Sequence, residues 1–441
     1  MKYVTTFNNK TIYAGCDLTE FAEQYGTPLK ITFLDMIRDN VLSLKKTFDS
    51  VIKSKGYKGK FLYLNANKAS YSVENIDIVA KYGDGLETSS YNDLLVTAKI
   101  MKGNKNYITK PIVCNGVKDK NYLDEIVKLN QEGMDITCVI DNIPEYEYLL
   151  SRISNKKLKI GFRVHLTCLY TEGDAKTLDD RFGLVKKDFD ELVNRVKKDK
   201  QFILTNIHFH QRGMNFEEPK FWENFMIVFT QYYVQTKKEI QTLCDLDIGG
   251  GTPILLTEHF DYSKWANQML DKVIEVCKTE KIDQPNIITE NGKYTVKDST
   301  VLIYKIVAQK ITDGKIPWYI IDGSFFSAMA EHYEAGEPFI IEPINLLNNK
   351  MIDVRLAGLT CDCDDVYYEE GTMKMPEIKE NGTLYIAVLG CGSYQDSMQG
   401  RGGVHHCLMP EEMRLIRGLD GKYKILSKRQ NIKDIWKIIK K

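Results

Sequence analysis

The chain has 441 residues, with 60 Lys plus Arg against 60 Asp plus Glu and a formal net charge of +0. That balance gives no whole-molecule field to gather nucleic acid or an anionic membrane, and the length suits one large domain plus a smaller one. The expected partner is a small molecule.

The start, Met1-Lys2-Tyr3-Val4-Thr5-Thr6, is polar, and no later run approaches a membrane span. A cytoplasmic protein with no membrane contact is expected. The first 25 or so residues form no obvious barrel unit and are expected to add a strand to a β domain. From about residue 30 to residue 290, short apolar runs alternate with longer amphipathic stretches. The strands are expected at Lys60 to Leu64, Pro111 to Cys114, Thr137 to Ile140, Leu158 to Val164, Ile203 to Phe209, Leu243 to Ile248 and Asn286 to Ile288. Apolar residues three and four apart predict helices at Asn75 to Tyr82, Tyr122 to Leu129, Phe189 to Lys197 and Trp265 to Lys278. Repeated βα units of this kind predict an α/β fold, a (β/α)8 TIM barrel over 30–290.

After residue 295 the texture becomes β-rich, at Thr300 to Ile311, Trp318 to Ile321, Pro338 to Pro343, Met351 to Ala357 and Leu384 to Leu389. Residues 1–29 and 291–441 are therefore expected to form a separate β domain, closed by an amphipathic helix over Asn431 to Ile439. Of the ten cysteines, Cys114, Cys138, Cys244 and Cys277 sit alone in apolar runs and are expected to be buried thiols, without disulfides. Cys361 and Cys363, one residue apart, miss the C-x2-C spacing, so no metal centre is expected.

In a parallel barrel the reactive groups sit where strands end, and four segments occupy such places. Asn65-Ala66-Asn67-Lys68-Ala69-Ser70 puts a lysine past the first strand, fit to bond an aldehyde cofactor or to stand solvated at a helix start. His208-Phe209-His210 ends another strand; alternation places both imidazoles on one side, for metal ligation, acid/base work, stacking on an aromatic cofactor or a structural hydrogen bond. In Asp247-Ile248-Gly249-Gly250-Gly251-Thr252, three bare backbone units fit a phosphate cradle or a tight connection. Glu290, in Thr289-Glu290-Asn291-Gly292-Lys293-Tyr294, is a loop acid or a partner for a pyridine nitrogen. Lysine, imidazole, glycine cradle and carboxylate, in that order on one barrel, are the parts of a pyridoxal phosphate site.

With these residues the chain resembles the fold type III pyridoxal phosphate enzymes, the group of alanine racemase and the ornithine, diaminopimelate and arginine decarboxylases. Gly26-Thr27-Pro28, Gly85-Leu86-Glu87-Thr88-Ser89-Ser90 and Arg181-Phe182-Gly183 resemble further family segments. The resemblance implies that pyridoxal 5'-phosphate is held by Lys68, Glu87, Arg163, His210, Gly249, Gly250, Gly251, Glu290, Gly292, Lys293 and Tyr394, the last in Gly392-Ser393-Tyr394. Gly358-Leu359-Thr360-Cys361-Asp362-Cys363-Asp364-Asp365 resembles the decarboxylase loop that enters a neighbouring subunit's site, which implies a homodimer and argues against a racemase. Cys361 is then the proton donor to Cα, and Asp362, Asp364 and Asp365 bind the substrate's distal cation. Met375-Pro376-Glu377 and Gly402-Gly403-Val404-His405-His406-Cys407-Leu408 look most like bacterial biosynthetic arginine decarboxylases, implying conversion of arginine to agmatine for polyamine synthesis.

The chain departs from the family in three places. The motif Y-A-x-K-A-N permits two registers here, one with Lys68 in the lysine's role and one with Asn65 there; the first keeps the covalent link. H-x-G-S becomes His210-Gln211-Arg212-Gly213, and E-P-G-R becomes Glu290-Asn291-Gly292-Lys293, leaving Arg212 or Lys293 as the phosphate's cation. Alternatives are diaminopimelate, lysine or ornithine decarboxylation, a non-catalytic pyridoxal phosphate carrier, and a barrel of unrelated chemistry.

Overall fold

The computed structural model describes residues 3–154, 156–166, 181–211, 219–254, 260–367 and 371–440. Two compact units divide the chain. One holds Ile37–Ile254 and His259–Thr295; the other is built from Met1–Met36 and Val296–Lys441.

Near the start, β1 (Val4–Phe7), β2 (Lys10–Tyr13) and β3 (Cys16–Asp17) form a small antiparallel sheet of their own. The strand that joins the larger sheet is β4 (Leu29–Phe33), which pairs with strands from the far end of the chain. Placing residue 30 at the head of the barrel is corrected by this pairing, because β4 is buried in the β unit. Sequence pattern alone cannot tell an apolar strand of one sheet from that of another.

The barrel strands are β5 (Phe61–Ala66), β6 (Gly85–Thr88), β7 (Ile112–Cys114), β8 (Ile136–Ile140), β9 (Leu158–Arg163), β10 (Phe202–His208), β11 (Asp245–Asp247) and β12 (Asn286–Asn291). They close in chain order into a parallel barrel, β12 pairing with β5. The strand missing from the sequence expectation is β6, whose Gly-Leu-Glu-Thr carries one strongly apolar residue; all four are nonetheless buried. Buried on both faces, these strands carry apolar runs such as Ile136-Thr137-Cys138-Val139-Ile140. Leu62, Leu64, Val113, Val139 and Ile288 pack together as the barrel's filling. Even-numbered residues of β5 therefore face inward. Odd-numbered ones face the helices: the Tyr63 hydroxyl meets Thr295 Oγ1 at 2.8 Å, and Asn65 Nδ2 donates to Asn67 Oδ1 at 2.9 Å.

In the other unit, β13 (Thr300–Ile311) is the spine, pairing with β4 and with β14 (Pro317–Ile321). The remaining strands are β15 (Ile340–Pro343), β16 (Met351–Ala357), β17 (Val366–Tyr367), β18 (Met373–Pro376), β19 (Tyr385–Leu389), β20 (Met413–Arg417) and β21 (Tyr423–Ser427). Alternation along β13 serves two cores at once. Leu302, Tyr304 and Ile306 enter one with Tyr319, Val354 and Ile386, while Val301 and Ile303 enter another with Leu29, Ile31 and Phe33. Among the described cysteines none forms a disulfide, and Cys244 is exposed rather than buried. It precedes β11 by one residue.

Candidate active site

The glycine-bearing turn after β11 places the site's most crowded groups. Gly249 adopts φ +71°, and a Cβ built on it would lie 2.8 Å from His210 Nδ1 and 2.9 Å from the Phe209 carbonyl oxygen. At Gly250 the same atom would lie 2.8 Å from the Glu290 carbonyl oxygen. Only bare backbone fits between the histidine and the glutamate. Gly249→Ala is accordingly expected to weaken pyridoxal phosphate binding by roughly tenfold or more, since both φ and space oppose it; fluorescence titration checks this.

Lys68 stands in the 3-10 turn Asn67–Ala69 that directly follows β5, half-buried. A Cβ on Gly292 would come within 3.0 Å of Ala69 Cβ and 3.4 Å of Ala66 Cβ, so the turn after β12 packs against the lysine-bearing one. The Lys68 charge bears on His210, His208, Glu290 and Asp93. Burial first, and the Lys68 charge next, hold His210 well below the usual histidine range. His210 at neutral pH is thus an uncharged ring, suited to packing on a flat cofactor. Asn65, the other register's candidate, belongs to the helix-facing row of β5.

Glu290, next to last in β12, sits within a knot of buried polar groups. Its Oε1 accepts from Asn115 Nδ2 at 2.6 Å, and the same amide reaches Glu87 Oε1 at 3.2 Å. The carboxyls of Glu290 and Asp247 and a ring nitrogen of His208 lie within 4.8 Å of one another. Burial, reinforced by the Asp247 carboxylate, pushes Glu290 up to about 8, and burial pushes Asp247 up to about 7. Burial also drives His208 down to about 4. Arg163, buried at the end of β9, stacks its guanidinium 4.4 Å from the Phe182 ring centroid. Several buried atoms here have no hydrogen-bond partner among the described residues, including Glu87 Oε2, Asn115 Oδ1, Asn206 Oδ1 and His208 Nδ1. Such atoms are costly unless something polar completes them. An acidic pocket with orphaned acceptors, beside a glycine cradle and a lysine, fits pyridoxal phosphate.

These shifts set a pH dependence for the cofactor-free protein. Unfolded carboxyls titrate near pH 4, so protons retained by Asp247 and Glu290 up to about 7 and 8 stabilise the fold below pH 4 fully and are lost as pH rises through those values. The buried neutral histidines act oppositely, but only below about pH 6.5. Between about pH 6.5 and 8 the raised carboxyls, Asp93 among them, dominate, and the melting temperature of the cofactor-free protein should fall as pH rises; calorimetry showing it rising over that interval would contradict the placement.

The second cluster lies in the β unit, between β16 and β17. Gly358 N donates to the Asp365 carbonyl at 2.7 Å, closing the loop that carries Cys361. Asp365 is corrected from a substrate ligand to a loop brace. It is 1% exposed, its Oδ1 accepts from Phe326 N at 3.0 Å, and its Oδ2 accepts from Thr360 Oγ1 at 2.6 Å. A Cβ at Gly358 would fall 2.0 Å from that Oδ2. Asp364 is exposed, and Asp362 Oδ2 pairs with His406 Nε2 at 2.9 Å. The exposed thiols of Cys361 and Cys407 lie 3.9 Å apart. Tyr394 adopts φ 62° at the head of helix Gln395–Gln399, beside the fully buried Ser393. Arg212 lies outside the described residues.

Sequence reasoning missed Asp247 and Asn115 as site members. Both follow the rule that found the others, since each stands at the C-terminal end of a barrel strand. Asp247 was read only as the lead-in to its glycines.

Residues 38–297 match the family described as pyridoxal-dependent decarboxylase, pyridoxal binding domain. Among curated proteins the chain is similar to a biosynthetic arginine decarboxylase of Prochlorococcus marinus, 24% identical over 67% of this chain and 48% of that protein. A second, from Citrifermentans bemidjiense, is 25% identical over 64% and 46%. The chain spans about half the length of these relatives. Among solved structures, diaminopimelate decarboxylase of M. jannaschii aligns with a TM-score of 0.83 at 19% identity, covering 99% of this chain and 97% of that one. The biosynthetic arginine decarboxylase of Campylobacter jejuni aligns at 0.81 and 18%, covering 96% and 86%. At such identities the likeness to solved structures shows the fold.

Proposed function

The chain belongs to the pyridoxal-dependent decarboxylase family, and from that premise we propose that it removes the α-carboxyl group of a basic L-amino acid, arginine first, yielding agmatine. The observation that carries this is the convergence of Lys68, His210, the Gly249 to Gly251 turn and Glu290 on one mouth of the barrel. Pyridoxal phosphate supplies the sink for the electron pair left by departing CO2. The chain does the rest. Lys68 provides the amine that anchors the group, and the backbone N–H donors of the triple-glycine turn, with Tyr394 and Lys293, take its phosphate. His210 packs on the ring as a neutral imidazole. Glu290 keeps a proton at the ring nitrogen.

Cys361 delivers the proton to Cα, and Asp362 with Asp364 receives the distal cation. A guanidinium presents a planar fork to carboxylates, whereas an ammonium is a point charge. The names of the curated relatives favour arginine over diaminopimelate, lysine and ornithine. Placement of Cys361 in a neighbouring subunit's site makes the working form a homodimer, in the cytoplasm and serving polyamine synthesis.

The test is CO2 release from carboxyl-labelled arginine, ornithine, lysine and diaminopimelate by the cofactor-loaded protein. Arginine should give the highest kcat/KM. Release from none of the four would leave a cofactor carrier as the reading, and a higher value for another substrate would reassign the specificity.

A further inference from the structure

Asp247 and Glu290 come from neighbouring strands, with Asp247 level with Ile288 and Glu290 two residues further along the same inward face. Asp247 is wholly buried. Its Oδ1 accepts from Gly249 N at 2.9 Å and lies 3.4 Å from His208 Nδ1, while Asn206 Nδ2 approaches Oδ2 at 3.5 Å. Its carboxyl lies within 4.8 Å of that of Glu290, close enough for one proton to serve both acids. Two buried carboxylates this close do not both ionise.

The surrounding charges favour keeping a proton on the pair. Glu87 from β6 is a third acid, and among the described residues Lys68 from the 3-10 turn and Arg163 from β9 bear on the cluster as cations. His208 from β10 is kept neutral by burial. With acids crowding one buried site, ionising every carboxyl is costly.

We propose that Asp247 is a positioning residue: it stays protonated beside an ionised Glu290 and donates to it, so that one negative charge rather than two faces the ring nitrogen of the bound cofactor. This rests on the reading that Glu290 meets that nitrogen. A protonated ring nitrogen beside Glu290 selects the ionised form of that acid, and the shared proton settles on Asp247. The donated hydrogen bond also fixes the orientation of the Glu290 carboxylate, while Gly249 N ties Asp247 to the glycine turn. One side chain thereby links the cradle to the ring-nitrogen acid.

Infrared difference spectroscopy on the cofactor-loaded protein, together with cofactor titration of variants, tests it. The wild-type protein should show the C=O stretch of a protonated carboxyl at neutral pH, and Asp247→Asn should lack it. Because an amide still donates, Asp247→Asn should bind pyridoxal phosphate within about threefold of wild type, whereas Asp247→Ala should lose roughly tenfold, the scale of one hydrogen bond to a charged group. The inference is overturned if the loaded wild-type protein lacks the band, if the band persists in Asp247→Asn, or if Asp247→Asn binds as weakly as Asp247→Ala. The band comparison stands even where Asp247→Ala does not fold. Glu290→Gln separates the two readings. Unchanged cofactor affinity in that variant removes Glu290 from the ring nitrogen and the inference with it; lost affinity alongside a failed band test removes the inference alone.

Discussion

Replacing Lys68 by Ala should lower kcat/KM for decarboxylation by ~10³-fold or more, about 4 kcal/mol of transition-state stabilisation. On the proposed reading Lys68 would supply the amine that anchors the cofactor, and its loss would remove that anchor. Lys68→Arg separates anchoring from simple charge, since a guanidinium keeps a cation at the turn yet does not bond the aldehyde; it should be as impaired as the alanine variant. Borohydride reduction followed by peptide mapping of the wild-type protein should place the adduct on the peptide containing Lys68. An adduct on Lys293 instead, or a Lys68→Ala protein that still forms a reducible adduct, would move the anchor to another turn of the same mouth. The geometry narrows the choice within β5. Leu62 and Leu64 fill the barrel and Ala66 meets the space at Gly292, whereas Asn65 shares the helix-facing side with Tyr63 and Lys68 stands just past the strand's end in the 3-10 turn.

Much of the barrel was legible because a strand buried on both faces needs an unbroken apolar run, and seven of eight had one. The exception, Gly85–Thr88, is short and polar in composition: Glu87 meets Asn115, and a Cβ at Gly85 would meet Pro111 of the neighbouring loop. The strand Leu29–Phe33 was legible as a strand but not as a partner of Thr300–Ile311, since pairing across some 270 residues leaves no local trace. Among candidate site residues, those with distinctive chemistry at strand ends stand out in the sequence, namely Lys68, His210 and Glu290. Asp247 and Asn115 did not, because an acid before glycines and an asparagine before a turn are also ordinary loop chemistry. Asp365 misled for the opposite reason. Its place in the loop motif is shared with a structural brace, and only the hydrogen bonds to Thr360 and Phe326 tell brace from ligand.

Cys361→Ala should leave cofactor binding and the reducible adduct intact while lowering kcat by ~10²-fold, within the range for loss of a positioned proton donor. The thiol is exposed on a loop whose base is pinned by Gly358, Thr360 and Asp365, so truncating it leaves those braces in place and gives up the 3.9 Å approach to the Cys407 thiol. A correct fold is checked by an unchanged melting temperature. The more informative experiment mixes two inactive proteins. If each site takes Lys68 from one subunit and Cys361 from its partner, then a heterodimer of Lys68→Ala with Cys361→Ala has one site carrying both lesions and one carrying neither. Random reassortment makes half the dimers mixed and half of their sites intact, so activity should recover to about a quarter of wild type. Sites built within single subunits give no recovery, because every site then carries one lesion. The outcome decides whether the cysteine loop acts across an interface, independently of which amino acid the enzyme prefers.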